Sequence, residues 1–266
     1  MNISTLPSAI QDSVRFSTLA SASSVRSGPF TIRYNPGWNS RFANYAVPDR
    51  DARPTAADVV ALIDRFRGLD RMPRLEFLPA DAPAVEPALL AAGFIEENRA
   101  PVMACQPGAP TGQSGGTLVQ PPRIDGVDLR ATTNDAELRK AAMVQHVAYG
   151  EKGELTEGEI EWLRSTARRG GVVCVAVAIG SQGTDVVGAG VCSPPHDGVS
   201  EMSGLAVAEP WRRRGIGAAL AACLASESFA RGTEVVWLEP AEREIERMYA
   251  RIGFRTIAEK LNIALP

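Results

Sequence analysis

One short segment near the carboxyl end constrains both the fold and the ligand of this chain. Residues 210–220 read Pro-Trp-Arg-Arg-Arg-Gly-Ile-Gly-Ala-Ala-Leu. The apolar run Leu205, Ala206 and Val207 precedes this segment, and an alanine-rich run with helical composition, 216–229, follows it. The three arginines and two glycines therefore lie where a strand gives way to a helix.

The start of a helix is a natural place for an anion. Its first backbone N–H groups have no partner within the helix, and the positive end of the helix dipole faces outward. Gly215 and Gly217 would let an anion approach the backbone closely, and the neighbouring arginines add charge and forked donors. The segment predicts a site for a phosphate group, in particular a pyrophosphate.

The composition narrows the class of protein. The chain has 266 residues, of which 45% are hydrophobic, enough for a core in one large or two small domains. A net charge of −3 gives no overall basic field for nucleic acid, and no apolar run is long enough to span a membrane. The Ser- and Ala-rich start, 1–27, lacks the layout of a secretory signal, so we expect a flexible tail and a cytoplasmic protein.

The cysteines carry no sign of a metal site. They are scattered, mostly in apolar runs, without Cys-x-x-Cys or Cys/His spacing. We expect reduced, buried thiols and no bound metal at the four positions, Cys105, Cys174, Cys192 and Cys223.

A segment rich in Gly and Pro divides the chain. Residues 106–116 have no hydrophobic period, which is typical of an exposed linker. We therefore expect an amino-terminal α/β domain over 28–105, a linker over 106–122 and a second domain over 123–266.

The second half alternates between strand and helix patterns. Asn134 is a candidate N-cap, and Thr156 and Glu159 have capping-box spacing. A hairpin followed by helical connections predicts an α/β fold with a mixed central sheet flanked by helices. Strands are expected at 127–130, 172–179, 186–192, 201–207, 234–238 and 254–265, and helices at 135–149, 156–168, 216–229 and 242–251.

The first half resembles the second in part. In residues 78–94 and 239–254 a proline that follows a strand is succeeded by a helix, a Gly-Phe pair and another strand, at spacings that differ by one residue. We interpret this match as a diverged internal duplication, with an unrelated small α/β cap as the alternative. Strands are expected in the first half at 30–34, 74–78 and 94–105, and helices at 56–67, capped by Thr55, and 85–92.

Three phosphate-binding patterns compete for residues 210–220. A P-loop requires Gly-x-x-x-x-Gly-Lys-Ser/Thr, and the segment has neither the lysine nor the hydroxyl. A dinucleotide fingerprint fits Gly215 and Gly217, with Glu239 as the later acid, but Leu220 occupies the third glycine position. Too little chain follows Glu239 for the rest of a doubly wound sheet.

The third pattern, Arg/Gln-x-x-Gly-x-Gly/Ala, is present at 212–217. With the strand before it and Met-Tyr-Ala-Arg-Ile-Gly-Phe at 248–254 after it, residues 127–266 resemble the GCN5-related N-acetyltransferase (GNAT) family in the order of their elements. The resemblance implies the GNAT-like acyl-CoA N-acyltransferase fold. It also implies transfer of an acetyl group from acetyl-CoA to a primary amine, by direct attack on the thioester.

The resemblance assigns roles to individual residues. Tyr249 matches the tyrosine that protonates the departing CoA thiolate, with a core aromatic as the alternative role. Glu201 resembles the strand-borne base of the family, with a solvated strand residue as the alternative. Glu239 and His196 are further candidates, although Glu239 is better suited to capping the following helix. Cofactor contacts would come from the strand Leu205, Ala206 and Val207, for the pantetheine arm, and from the loop Arg212, Arg213, Arg214, Gly215, Ile216, Gly217 and Ala218, for the pyrophosphate.

Other residues and functions stay open at this level. Tyr149 and Trp162 lie where the family places its acceptor site, and His146 has the pattern of a packed helix residue. The first half has Leu89 at the position of Tyr249 and no glycine–arginine loop, so we expect one active site per chain. A non-catalytic acyl-CoA-binding or sensing module is the main alternative, and an NAD(P)-binding oxidoreductase is less favoured. The sequence specifies neither the amine nor the choice between monomer and homodimer.

Overall fold

The computed structural model describes residues 5–19, 23–37, 39–108, 121–180, 183–240 and 242–266. The chain forms two compact units. Unit 1 consists of Met1–Val102 together with Ile257–Pro266, and unit 2 consists of Met103–Thr256. Most of the expected linker, 109–120, lies outside the described residues.

Unit 1 is built on a mixed sheet. The elements of the unit are α1 (Leu6–Leu19), β1 (Ser24–Ser27), β2 (Phe30–Arg33), β3 (Tyr45–Pro48), α2 (Ala56–Gly68), β4 (Arg74–Phe77), α3 (Val85–Ala91), the first part of β5 (Ile95–Cys105) and the last part of β11 (Arg255–Ala264). The sheet contains the order β1-β2-β3-β4-β11. Strands β3 and β4 pair in parallel, with Ala46 beside Leu75, and the other registered pairs are antiparallel.

Residues 6–19 form helix α1 and residues 24–27 form β1, so the expectation of a flexible tail over 1–27 is wrong for these two segments. Helix α1 places Leu6, Ile10 and Val14 on one face, and all three are buried. Their spacing of four residues is that of a helical stripe. The serines and the charged residues Asp12 and Arg15 lower the mean hydropathy of the segment, so its composition alone does not reveal the stripe.

Unit 2 has helices on both faces of its sheet. Its elements are β6 (Val127–Ala131), α4 (Asp135–Ala148), α5 (Glu157–Arg168), β7 (Val172–Gly180), β8 (Gly183–Cys192), β9 (Val199–Val207), α6 (Ile216–Ala230), β10 (Val235–Leu238) and α7 (Arg243–Arg251). In β7, Val173, Val175 and Val177 pack toward α4 and α5, whereas Cys174 and Ala176 pack toward α6, as strand alternation requires. A strand covered on both faces has apolar residues at successive positions, which is why residues 172–179 form a continuous apolar run.

The strand order of unit 2, β5-β10-β9-β8-β7-β6, distinguishes between the nucleotide-binding folds. Among the registered pairs of this unit, β9 and β10 are parallel and the others are antiparallel. A doubly wound dinucleotide fold needs a mostly parallel sheet. The mixed sheet therefore confirms the α/β GNAT-like expectation and removes the fold that the oxidoreductase alternative requires. In the parts of the chain that the structure describes, no helix has the length and apolar character to cross a membrane.

The two halves of the sequence share one order of elements. The series β3-α2-β4-α3-β5 corresponds to β9-α6-β10-α7-β11, and each series contains one parallel pair. Their last strands are exchanged: Met103–Cys105 of β5 pairs with β10, and Leu261–Ala264 of β11 pairs with β4. Residues 257–266 accordingly belong to unit 1, which differs from the expected second domain over 123–266.

Candidate functional site

The two parallel strands of unit 2, β9 and β10, differ in how far they extend along the sheet. Strand β9 pairs with β10 over Val199–Glu201, and β9 then continues to Val207 whereas β10 ends at Leu238. The backbone of Leu205, Ala206 and Val207 thus lies beyond the last registered pair with β10. In open α/β sheets, ligands bind outside the carboxyl ends of the strands at such a place.

Strand β9 contains a bulge just before this segment. The register with β8 shifts by one residue between Ala189, opposite Ala206, and Val191, opposite Ser203. Gly204 and Leu205 therefore oppose a single residue of β8, and Gly204 has a φ of 61°. This is the arrangement of a glycine bulge, which bends a strand and changes the direction of its backbone groups.

Helix α6 begins with an open amino terminus. After a 3₁₀ turn over Glu209–Trp211, Arg213 (φ 64°) and Gly215 (φ 81°) take left-handed conformations before Ile216 starts the helix. Gly215 is the N-cap residue, and no side chain caps the helix. The first turn therefore keeps its N–H groups for an acceptor outside the helix, as predicted from the sequence.

The three arginines of the loop are exposed, and two have defined contacts. Arg212 donates from Nε to the carbonyl oxygen of Val207 at 3.0 Å, which ties the loop to the end of β9. The guanidinium of Arg214 lies 4.8 Å from the centre of the Trp211 ring. These contacts hold positive charge beside the open helix terminus. A pyrophosphate bound there would be stabilised both by the arginines and by the positive end of the helix dipole.

Gly217 lies where β9, α6 and α7 meet. A Cβ added at this position would lie 3.8 Å from Met248 Sδ and 3.9 Å from Val207 Cγ2, which are ordinary contact distances. The end of the predicted pantetheine strand, the phosphate loop and the residue before Tyr249 are therefore neighbours. The structure brings these three sequence predictions together in one place.

Tyr249 is buried but keeps its proton. It is 6% exposed, and its ring packs edge-on against Phe254 with 5.7 Å between ring centres. Burial raises the pKa of the Tyr249 hydroxyl, and the nearby hydroxyl of Tyr149, at the end of α4, adds to the effect. A neutral phenol at this position has a proton to donate throughout the physiological range. The aromatic packing shows that Tyr249 also contributes to the core.

The candidate bases lie on different elements. Glu201 is partly buried on β9, and its backbone is fixed because its N–H donates to Ser193 Oγ at 2.9 Å. Strand alternation places its side chain on the face opposite Met202, which packs toward α6. Glu239 is not the cap of the following helix, because the N-cap of α7 is Glu242. The Nε2 atom of His196 lies 3.6 Å from the Asp197 carboxylate.

The connection between α4 and α5 is held by a buried ion pair. The capping box of Thr156 and Glu159 is present as predicted, and Glu159 also accepts from His146 Nδ1 at 2.7 Å. His146 Nε2 lies 3.2 Å from the carbonyl oxygen of Gly153. Both ring nitrogens face acceptors, which favours the charged imidazole, and the hydrogen bond to Glu159 raises the pKa of His146. The sequence indicated a packed His146 but not its partner.

The counterpart of α6 in unit 1 has a closed amino terminus. The Thr55 side chain accepts from Asp58 N–H, and the Asp58 carboxylate accepts from Thr55 N–H, a complete capping box. A Cβ on Gly28 would lie 2.8 Å from Asp58 Oδ1, so the turn between β1 and β2 covers the same place. These groups already occupy the position that corresponds to the predicted anion site at α6, so we expect a single phosphate site per chain.

Comparison with known proteins agrees with this geometry. Residues 136–254 match the model of the Acetyltransferase (GNAT) family, and this range contains both the loop 212–217 and Tyr249. The family resemblance of the second half is thereby confirmed. A comparison with curated proteins gave no match.

Solved structures resemble both halves of the chain. A GCN5-related N-acetyltransferase from Kribbella flavida is 21% identical, with 98% of this chain and 96% of that chain covered and a TM-score of 0.77. A GCN5-related N-acetyltransferase from Sphaerobacter thermophilus is 16% identical over 89% and 76%, with a TM-score of 0.64. A tandem GNAT protein from the clavulanic acid biosynthesis pathway is 14% identical over 92% and 84%, with a TM-score of 0.56. At these identities the similarity establishes the fold, including a GNAT-like arrangement of the first half.

Proposed function

We propose that this protein is an acetyl-CoA-dependent N-acetyltransferase that transfers the acetyl group to a primary amine. The observation that carries the proposal is the open amino terminus of α6, flanked by three arginines, at the point where β9 extends beyond β10. The match of residues 136–254 to the GNAT family supports the same conclusion. A donor such as acetyl-CoA also suits the cytoplasmic location expected from the sequence.

The described residues fit the two parts of the donor. Its pyrophosphate would accept hydrogen bonds from the first turn of α6, residues 216–218, and contact Arg212, Arg213 and Arg214. The pantetheine arm carries amide groups, and it would pair with the backbone of 205–207 as an extended peptide pairs with a sheet edge. In this arrangement the thioester would extend from the loop toward the bulge at Gly204.

The reaction needs three contributions from the protein. A neutral amine attacks the thioester carbonyl carbon, the C–S bond breaks, and the amine loses a proton. Glu201 would accept that proton, directly or through water, and Tyr249 would protonate the departing thiolate. Backbone N–H groups near the bulge would stabilise the charge that develops on the carbonyl oxygen.

Release of CoA thiol tests the proposal. The purified protein would be incubated with acetyl-CoA and a panel of small amines, amino acids, peptides with free amino termini and lysine-containing peptides. We expect thiol release with at least one class, together with acetylation of the acceptor by mass spectrometry. Calorimetric binding of CoA without thiol release from any amine would favour the non-catalytic binding module instead.

Binding of the donor has its own test. The Gly217→Glu variant would place a carboxylate beside the phosphate loop and should abolish CoA binding by repulsion and by occupying the space above α6. Retained CoA affinity in this variant would remove the assignment of the loop. Preference of the wild type for NAD(P) over CoA would overturn the proposal as a whole.

A further inference from the structure

A buried glutamine of α4 is bonded to the bulge of β9. Gln145 is 8% exposed, and its Nε2 donates to the carbonyl oxygen of Gly204 at 2.7 Å. The packing around this bond is tight, because a Cβ on Gly204 would lie 2.6 Å from Gln145 Nε2 and 3.4 Å from Trp162. Position 204 therefore requires glycine for two reasons: its φ is left-handed, and a side chain would collide with Gln145.

The bond fixes the orientation of one peptide plane. A strand carbonyl normally points along the sheet toward a neighbouring strand, whereas this one points to a helix that packs on the face of the sheet. Because the peptide unit is planar and trans, the N–H of Leu205 must point in the opposite direction, away from α4. Leu205 is also the first residue of the segment proposed to pair with the pantetheine arm.

We propose that Gln145 is a positioning residue for the acyl donor. By holding the carbonyl of Gly204 toward α4, it fixes the peptide unit that joins Gly204 to Leu205 and therefore the path of the backbone 205–207, along which the arm and its thioester would lie. The proposal rests on the function proposed above but concerns a residue outside the phosphate loop and outside the pair Tyr249 and Glu201. A small misplacement of reacting groups is sufficient to lower a rate on the order of 100-fold.

Two ligands separate this role from general destabilisation. ADP carries the pyrophosphate but lacks the pantetheine arm, whereas CoA carries both. In the Gln145→Leu variant we expect calorimetry to give unchanged ADP affinity and CoA affinity reduced roughly 10-fold, the scale of one lost hydrogen bond to the arm. Equal loss for both ligands, or no loss for either, would overturn the proposal.

A matched control is available in unit 1. Gln11 of α1 is also buried, and its side-chain oxygen accepts from the N–H of Leu78, so it is another helix glutamine bonded to backbone. Gln11→Leu should lower the free energy of unfolding to a similar extent while leaving CoA affinity and turnover unchanged. A loss of CoA affinity in Gln11→Leu equal to that in Gln145→Leu would assign the effect to stability.

In the variant Gln145→Glu, the hydrogen bond to Gly204 should depend on pH. Its carboxyl group can donate to Gly204 when protonated, but when ionised it offers only acceptors against the carbonyl oxygen. Burial raises the pKa of such a group, so turnover relative to the wild type should rise as the pH falls from about 8 to about 6. A ratio of variant to wild-type turnover that does not change across this range would contradict a donor role.

The wild type in the same assay tests the proposed function separately, because it must bind CoA and release thiol before these ratios can be interpreted.

Discussion

Helix α6 can be closed by a single substitution copied from unit 1. In α2 the N-cap is Thr55 and the third helical residue is Asp58, whose carboxylate occupies the helix terminus. In α6 the N-cap is Gly215, so the corresponding position is Ala218. In α2 this carboxylate accepts from the N-cap N–H, so Ala218→Asp should place a carboxylate beside the N–H of Gly215, next to the first-turn N–H groups that the proposed pyrophosphate would use. Ala218→Asn is the neutral control of the same shape.

The expected magnitude follows from the charge and the helix dimensions. A carboxylate in the first turn would lie roughly 5 Å from the bound pyrophosphate, since one turn rises about 5.4 Å. Two unit charges at that distance repel by about 0.8 kcal/mol in water and about 3 kcal/mol at an effective dielectric constant of 20. CoA affinity should therefore fall roughly 4- to 200-fold. The free energy of unfolding should change by less than about 1 kcal/mol, because the carboxylate also interacts favourably with the helix terminus.

Calorimetric titration of CoA into the two variants measures the effect. We expect weak binding by Ala218→Asp, binding close to that of the wild type by Ala218→Asn, and a smaller difference between them at high salt, because screening reduces the repulsion. Equal CoA affinity in both variants at low salt would refute the assignment of the pyrophosphate to the α6 terminus.

Three further predictions concern turnover and stability. Tyr249→Phe keeps the ring that packs in the core but removes the acid, so kcat should fall on the order of 100-fold with unchanged CoA affinity; equal turnover at every pH would exclude the acid role. The pKa of His146 is raised in the folded protein, so its pairing with Glu159 contributes stability that is complete below about pH 6.5 and is lost as the pH rises through the raised pKa. In urea unfolding, the free energy of unfolding of His146→Gln should not show this decrease with rising pH. If the variant has the same pH dependence as the wild type, the His146–Glu159 pair is not the cause of the decrease. In unit 1, burial alone would raise the pKa of Glu76, but the charges of Lys260 and Arg74 outweigh burial and hold the pKa at about 2. Glu76→Ala removes the carboxylate that these two buried cations share, although Arg74 keeps its pair with Glu97, and it should cost about 3–5 kcal/mol of unfolding free energy; a loss below about 1 kcal/mol would contradict a paired buried network.

Local patterns were sufficient for the elements that surround the phosphate site. The capping residues Thr55, Asn134 and Thr156 are present as predicted because a cap involves neighbours three residues apart. The strand, loop and helix over 205–230 were predictable for the same reason, since glycine conformation and helix periodicity depend on adjacent residues. Composition was the weaker guide, because it concealed α1. The cap expected at Glu239 lies instead at Glu242, three residues later.

The sequence by itself therefore predicted the proposed phosphate loop, the acid candidate Tyr249 and the repeated order of elements. Only the tertiary structure decided which strands complete each sheet, because β5 and β11 have equivalent local patterns and their partners depend on which edge is available. It also decided that the α2 terminus is closed by Asp58 beneath the turn at Gly28, and that Gln145 holds a carbonyl 59 residues away. Contacts between residues distant in sequence depend on how whole elements pack, and no local periodicity records them.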